Sequence, residues 1–224
     1  MADGTTKIFG GKVDVTVSVE ARDDWTERRQ DEWHRRLAQD ISTFIEMQDS
    51  FWELVRRIER EPEDDRLGIT VILKGQLNHL EAQMHGGFLP PQHDNDHWLR
   101  IEIFRRFADV PQDPWRELHT LAHEIGHARG YLSEKPPRMY YEAVDKSDWK
   151  ATLSPEEKRA IMSEETRAWV NAIAELKAIG RFNKTMFVKI AHQDLGIYAE
   201  RLDIDQGVFE DEWQRVVDAV DAAA

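Results

Sequence analysis

The strongest chemical signal in the chain is the run His123-Glu124-Ile125-Gly126-His127. On a helix turning about 100° per residue, the two histidines stand about 40° apart on neighbouring turns, so both imidazoles can reach one ion. Cysteine is absent, so a metal here must be held by His, Asp or Glu. Zinc bound for catalysis takes three protein ligands and keeps a fourth position for water. A third ligand must therefore come from another part of the chain.

The segment that opens at Ser154-Pro155-Glu156-Glu157 reads as a long capped helix. Taking Glu165 as origin, Ile161, Ala168, Trp169, Ala172 and Leu176 all fall within about 60° of it, so this carboxylate sits in the middle of an apolar stripe. A buried, unpaired carboxylate is costly. Glu165 is the expected third ligand, with a plain buried ion pair to an arginine as the other reading of it. Its neighbour Glu164 lies about 100° round the helix, where it can reach solvent, and is the alternative ligand. His119 repeats the four-residue spacing of His123 and His127, but from 119 to 127 a helix climbs about 12 Å, too far for three side chains to meet one ion. A place on the cleft rim or surface is expected for it. His85, His93 and His97, with Asp94 and Asp96, read as a polar loop.

This spacing implies a mechanism in which His123, His127 and Glu165 hold one catalytic Zn²⁺, whose water becomes acidic enough to attack a polarised carbonyl. Glu124, beside the ligands without being one, would take the proton from that water and pass it to the leaving amine. The tetrahedral oxyanion needs a donor. Tyr140 and Tyr141, between the two ligand helices in sequence, are the nearest candidates, with ordinary packing as the alternative.

The elements that would position these groups are legible as patterns. Asp113-Pro114 reads as an N-cap with proline at the first helical position, and Gly130 as the C-terminal stop. Leu118, Leu121, Ala122 and Ile125 form a packing stripe roughly opposite the histidines, and Gly126 is expected to leave the cleft side uncrowded. The second helix is expected to run to Gly180, with further helical stretches near Lys184–His192 and Glu210–Ala222. Strict alternation predicts a strand over Lys12–Glu20, and apolar runs predict strands over Leu67–Leu73 and Trp98–Phe104. Helical periodicity covers Asp24 to about Arg60, and Gly86–Pro91 reads as a loop. The expected fold is α+β: a single domain over 1–224, with a sheet-containing lobe (1–110), a helical lobe carrying the ligands (111–224) and a cleft between them.

Composition narrows the functional classes. The 43 acidic residues outnumber 30 basic ones, for a net charge of −13, which repels phosphate backbones and disfavours nucleic-acid binding. Apolar runs such as Val71-Ile72-Leu73 fall far short of the ~20 residues that span a bilayer. Eight Trp and nine Phe argue for a packed core rather than disorder. The first residues show no basic and apolar signal pattern, so a cytoplasmic address is expected, although a signal-less export route would leave the same sequence.

His123-Glu-Ile-Gly-His-Ala128, followed by Glu165 on a second helix, resembles the gluzincin branch of zinc metallopeptidases, and more narrowly the small bacterial peptidases of the ImmA/IrrE group. The likeness covers roughly residues 98 to 180. It implies a compact zincin-like fold with a small mixed sheet, zinc on His123, His127 and Glu165, and Glu124 as catalytic glutamate. It also implies a restricted protein or peptide substrate, paired along an edge strand assigned to Trp98–Phe104. One turn after the glutamate ligand, where gluzincins usually carry an acid that orients a zinc histidine, this chain has Trp169. No helix-turn-helix is evident at either end. Two other functions are compatible with the same residues: a non-catalytic module held together by zinc, and a toxin or effector peptidase.

Overall fold

The computed structural model describes residues 4–6, 15–17, 46–58, 68–75, 86–90, 98–105, 113–144, 146 and 149–223. Two compact units are distinguished, Met1–Glu46 and Met47–Ala224. In the first, β1 (Gly4–Thr6) pairs antiparallel with β2 (Val15–Val17), with Thr5 opposite Thr16. The β2 strand is the described part of the alternating Lys12–Glu20 run. Most of the expected 24–60 helix lies outside the described residues, apart from helix α1 at 46–58.

The second unit is a mixed α+β structure, mostly helical, around a three-stranded sheet ordered β3-β5-β4. Strands β3 (Gly68–Gly75) and β5 (Trp98–Arg105) run parallel, Ile69 opposite Leu99, while β4 (Gly86–Leu89) runs antiparallel to β5 with Phe88 opposite Ile101. Along β5, Leu99, Ile101 and Ile103 are buried, whereas the alternating Arg100, Glu102 and Phe104 are half-exposed, as a period of two requires. Two expectations are corrected here. The Gly86–Leu89 segment is a strand and not a loop, and among the described residues it takes the sheet's edge, so β5 is central and cannot be the edge strand. The Gly86-Gly87 pair lowers strand propensity locally, but the backbone pairing with β5 and the packing of Phe88 override it.

Helix α2 (Pro114–Ser133) starts as the cap pattern requires, with Asp113 accepting from the backbone N–H groups of Trp115 at 3.0 Å and Arg116 at 3.2 Å. It does not stop at Gly130. The helix continues to Ser133, and a Cβ on Gly130 would sit 3.0 Å from Arg167 Nε, so this glycine serves a close side-chain approach instead of a C-cap. After α3 (Arg138–Val144) and the short α4 (Trp149–Thr152) comes α5 (Pro155–Ala178), whose capping box joins Ser154 and Glu157 in both directions. It closes in a Schellman arrangement: Gly180 at φ +66°, its N–H on Lys177 O at 3.0 Å, and Arg181 N–H on Leu176 O at 2.8 Å. Helices α6 (Lys184–Leu202) and α7 (Gln206–Ala223) extend well past the shorter stretches expected from periodicity. Among the described residues no helix is long and apolar enough to cross a membrane.

Helices α2 and α5 cross backbone to backbone. A Cβ on Gly126 would fall 2.1 Å from Ala168 O, and Asn171 Nδ2 donates to Gly126 O at 3.0 Å. Gly126 therefore faces α5 and makes the crossing possible; it does not relieve the cleft side. Buried Glu175 adds a polar clamp, accepting from Arg57 Nη1 of α1 at 2.8 Å and Arg129 Nε of α2 at 2.9 Å. Because overpacking at a backbone contact forces elements apart, Gly126→Ala is expected to lower stability by about 1–3 kcal/mol. Gly196→Ala, whose Cβ would meet nothing within 4 Å inside α6, should stabilise by about 0.5–1 kcal/mol. Denaturant unfolding of the two variants checks the contrast; equal effects would contradict the crossing.

Candidate metal centre

The α2–α5 crossing brings Glu165 of α5 against the paired histidines of α2. Glu165 Oε2 lies 3.2 Å from His123 Nε2 and 3.6 Å from His127 Nε2, and one donor atom from each of the three residues lies within 4.8 Å of the others. The two imidazoles meet edge to face with centroids 4.7 Å apart. Trp169 of α5 covers His123 at 4.5 Å, and Phe88 of β4 stacks on His127 at 6.2 Å and 10° between planes. Glu165 is only 4% exposed, in the apolar stripe that the sequence placed it in.

Electrostatics separates the two carboxylates of the cleft. Burial alone would raise the Glu165 carboxyl, but the charges and hydrogen bonds of His127 and His123 hold it down at about 2. The reciprocal shift appears on His127, where burial is outweighed by the Glu165 carboxylate and the pKa rises; on His123 burial prevails and the pKa falls. Glu124, 7% exposed, is pushed up to about 8, chiefly by burial, with His127 and a backbone hydrogen bond from Phe88 pulling the other way. Strand β4 comes this close because Gly86 has no side chain: a Cβ there would sit 2.8 Å from Thr120 Cγ2 and 3.1 Å from Glu124 Cγ.

The other residues singled out in the sequence divide. Tyr140 is turned toward the site: burial raises its hydroxyl pKa well above the usual value, and Glu165, Glu164 and Glu124 raise it further. The buried hydroxyl of Tyr141 has no hydrogen-bond partner among the described residues, and beyond burial it feels Tyr131, Glu164 and Arg167. Glu164 is not a solvated surface residue; at 9% exposure it pairs with Arg167 Nη2 at 2.5 Å, which removes it from the ligand set. His119 is likewise not on a rim. It is fully buried, its Nδ1 2.7 Å from Trp115 O and its ring flanked by Trp115 and Phe187, because the 119 position faces α6 and not the cleft. The residues His85, His93, Asp94, Asp96 and His97 lie outside the described residues.

Helix α6 contributes residues that sequence reasoning missed. Tyr198 feels the charges of Glu165 and Glu124, as well as Tyr140, after burial has already raised its hydroxyl. Asp194 pairs with Arg116 of α2. Phe187, Asp194 and Tyr198 lie within about 40° of one another round the helix, so continuing the apolar period through Ile190, Ala191, Leu195 and Leu202 past Gly196 is the signal that finds them.

No protein-family profile matches this chain, and comparisons with curated proteins and with solved structures give no match either. What the site could hold is thus read from the chemistry of the donor set. Two imidazole nitrogens and one carboxylate oxygen, converging and largely shielded, fit Zn²⁺ with one position left over.

In the metal-free protein the shift on Glu124 has a defined sign. An unfolded glutamate releases its proton near the ordinary value of 4.5, while the folded one keeps it to about 8, so unfolding releases a proton in that interval and stability falls as pH rises through it. Glu124→Gln lacks this proton. In chelator, thermal unfolding of the variant and the wild type should therefore diverge from about pH 4.5 to 8 in favour of the variant and run parallel above; a pH-independent difference would contradict the burial of an ionisable Glu124.

Proposed function

We propose that this protein is a zinc-dependent peptidase that hydrolyses peptide bonds in a restricted protein or peptide substrate, with a zincin-like catalytic unit. The observation that carries the reading is the convergence of His123 Nε2, His127 Nε2 and Glu165 Oε2 with the Glu124 carboxyl held beside them. The resemblance of the His123–Ala128 motif and of Glu165 to gluzincins points the same way.

His123, His127 and Glu165 would hold the ion, which supplies Lewis acidity toward a bound water and a carbonyl oxygen. The chain's own groups do the rest. Glu124, when ionised, takes a proton on a carboxylate oxygen and returns it to the leaving amine. Its elevated pKa of about 8 suits the second half of that exchange, and a cation on the neighbouring imidazoles favours the ionised form needed for the first. The hydrogen bond from Phe88 N–H fixes the carboxyl against β4. Tyr140 and Tyr198, whose hydroxyls feel Glu165 and Glu124, are candidate donors to developing oxyanion charge beside Tyr141. Strand β4 stands at the edge of the three-stranded sheet, so an extended substrate can add to it through backbone hydrogen bonds, the mode called strand addition. Phe88, on that edge and over His127, then limits which side chains fit next to the scissile bond.

Glu124→Gln is expected to keep stoichiometric zinc and lose about 10²–10⁴-fold in cleavage rate on any peptide from a library that the wild type cuts. Retained cleavage in a zinc-loaded variant would overturn the assignment of Glu124. Zinc that raises the unfolding temperature while no peptide is cut would favour a structural module over a peptidase.

A further inference from the structure

In this structure His123 has one ring nitrogen without a partner. Its Nε2 shares a proton with Glu165 Oε2, while Nδ1 is buried and has no hydrogen-bond partner among the described residues. A neutral imidazole carries one proton. With that proton on Nε2, Nδ1 is a bare lone pair. Once Nε2 serves as a ligand, the proton must move to Nδ1, and a buried N–H donor without an acceptor is costly. The residue one turn beyond Glu165 cannot accept it, because Trp169 offers only an N–H donor.

An acceptor stands on α6. Phe187 touches both His119 (6.1 Å) and Trp169 (5.5 Å), and Trp169 touches His123 (4.5 Å), so the Phe187 face of α6 meets the rings that border His123. Asp194 lies two turns further along the same face, within about 20°. Arg116, two turns before His123 on α2 and also within about 20° of it, grips Asp194 through Nη2 and Oδ1. That pair is largely shielded, with side chains 18% and 20% exposed, and it leaves Oδ2 for a second donor. The Asp194 charge is felt at His123 and Glu124, and Asp194 in turn feels Glu165.

Building on the metal-site reading, we propose that Asp194 is the positioning residue for His123, its Oδ2 accepting the Nδ1–H bond when Nε2 is a ligand, and that Arg116 anchors Asp194 for this task. The carboxylate that orients the metal histidine thus comes from α6 and not from the ligand helix α5. Such a partner fixes the ring's tautomer and orientation and raises its basicity as a ligand, and its loss typically costs 10–100-fold in metal affinity. Asp194 touches neither substrate nor ion.

The test is zinc affinity by competition with a chromophoric chelator, together with ¹⁵N-histidine NMR of the zinc-loaded full chain. In the wild type, His123 Nδ1 should carry a proton that is shielded from exchange and shifted downfield by a carboxylate acceptor. Asp194→Asn, nearly the same shape, should weaken zinc binding by 10–100-fold and move that resonance upfield, while leaving His127 signals in place. Arg116→Gln, which keeps the carboxylate but frees it, should give a smaller loss of the same kind. The wild-type spectrum decides the question even where a variant folds poorly: a His123 Nδ1–H that exchanges freely or lacks the downfield shift overturns the proposal. Wild-type zinc affinity with an unmoved Nδ1–H in Asp194→Asn overturns it too, and leaves the metal site standing. A wild type that takes up no zinc overturns the site itself, and this inference with it.

Discussion

One buried carboxylate sets the terms for the rest of the structure. Glu165 sits at 4% exposure in the apolar face of α5, where an unpaired charge would cost several kcal/mol. Its partners are the imidazoles of His123 and His127, and they can reach it only if α2 and α5 approach more closely than side chains normally permit. That approach exists because residue 126 lacks a Cβ and Asn171 ties the carbonyl of Gly126 across the crossing. The glycine between His123 and His127 is therefore the spacer that lets both histidines meet Glu165.

Around this contact the remaining elements act as walls with separate duties. Strand β4 brings Phe88 over His127 and a backbone N–H to Glu124, and α6 brings Asp194 and Tyr198 within reach of the site's charges. The result is a pair of carboxylates driven to opposite extremes by their surroundings: Glu165, compensated by two imidazoles, is held near 2, and Glu124, with burial dominating, rises to about 8. Environments that push two neighbouring acids apart in this way are how one site obtains a permanent anion and a proton carrier from the same chemical group.

Much of this was readable from the chain because it is local. The Asp113 and Ser154 caps, the helical spacing of His123 and His127, and the position of Glu165 in the middle of an apolar stripe are all properties of single helices, and they reappear in the structure. What was not readable depends on partners far away in sequence. Gly86–Leu89 carries two glycines and precedes Pro90-Pro91, so by itself it looks like a turn; only pairing with β5 makes it a strand. His119 and Glu164 have polar side chains on surfaces that look solvated until α6 covers the one and Arg167 pairs with the other. Gly130 resembles a helix stop because the approach of Arg167 is invisible from α2 alone. Asp194 and Tyr198 were hidden for the same reason, since nothing in α6 says which neighbour its inner face will meet.

The central claim is that His123, His127 and Glu165 form one zinc site with an open position. The measurement that reaches it most directly is zinc K-edge X-ray absorption on the reconstituted wild type beside Glu165→Gln. The account predicts a four-coordinate nitrogen and oxygen shell near ~2.0 Å with the scattering signature of two imidazoles, and zinc held much more weakly in the variant. A wild type that cannot retain zinc through desalting, or a zinc shell without imidazole scattering, would contradict it.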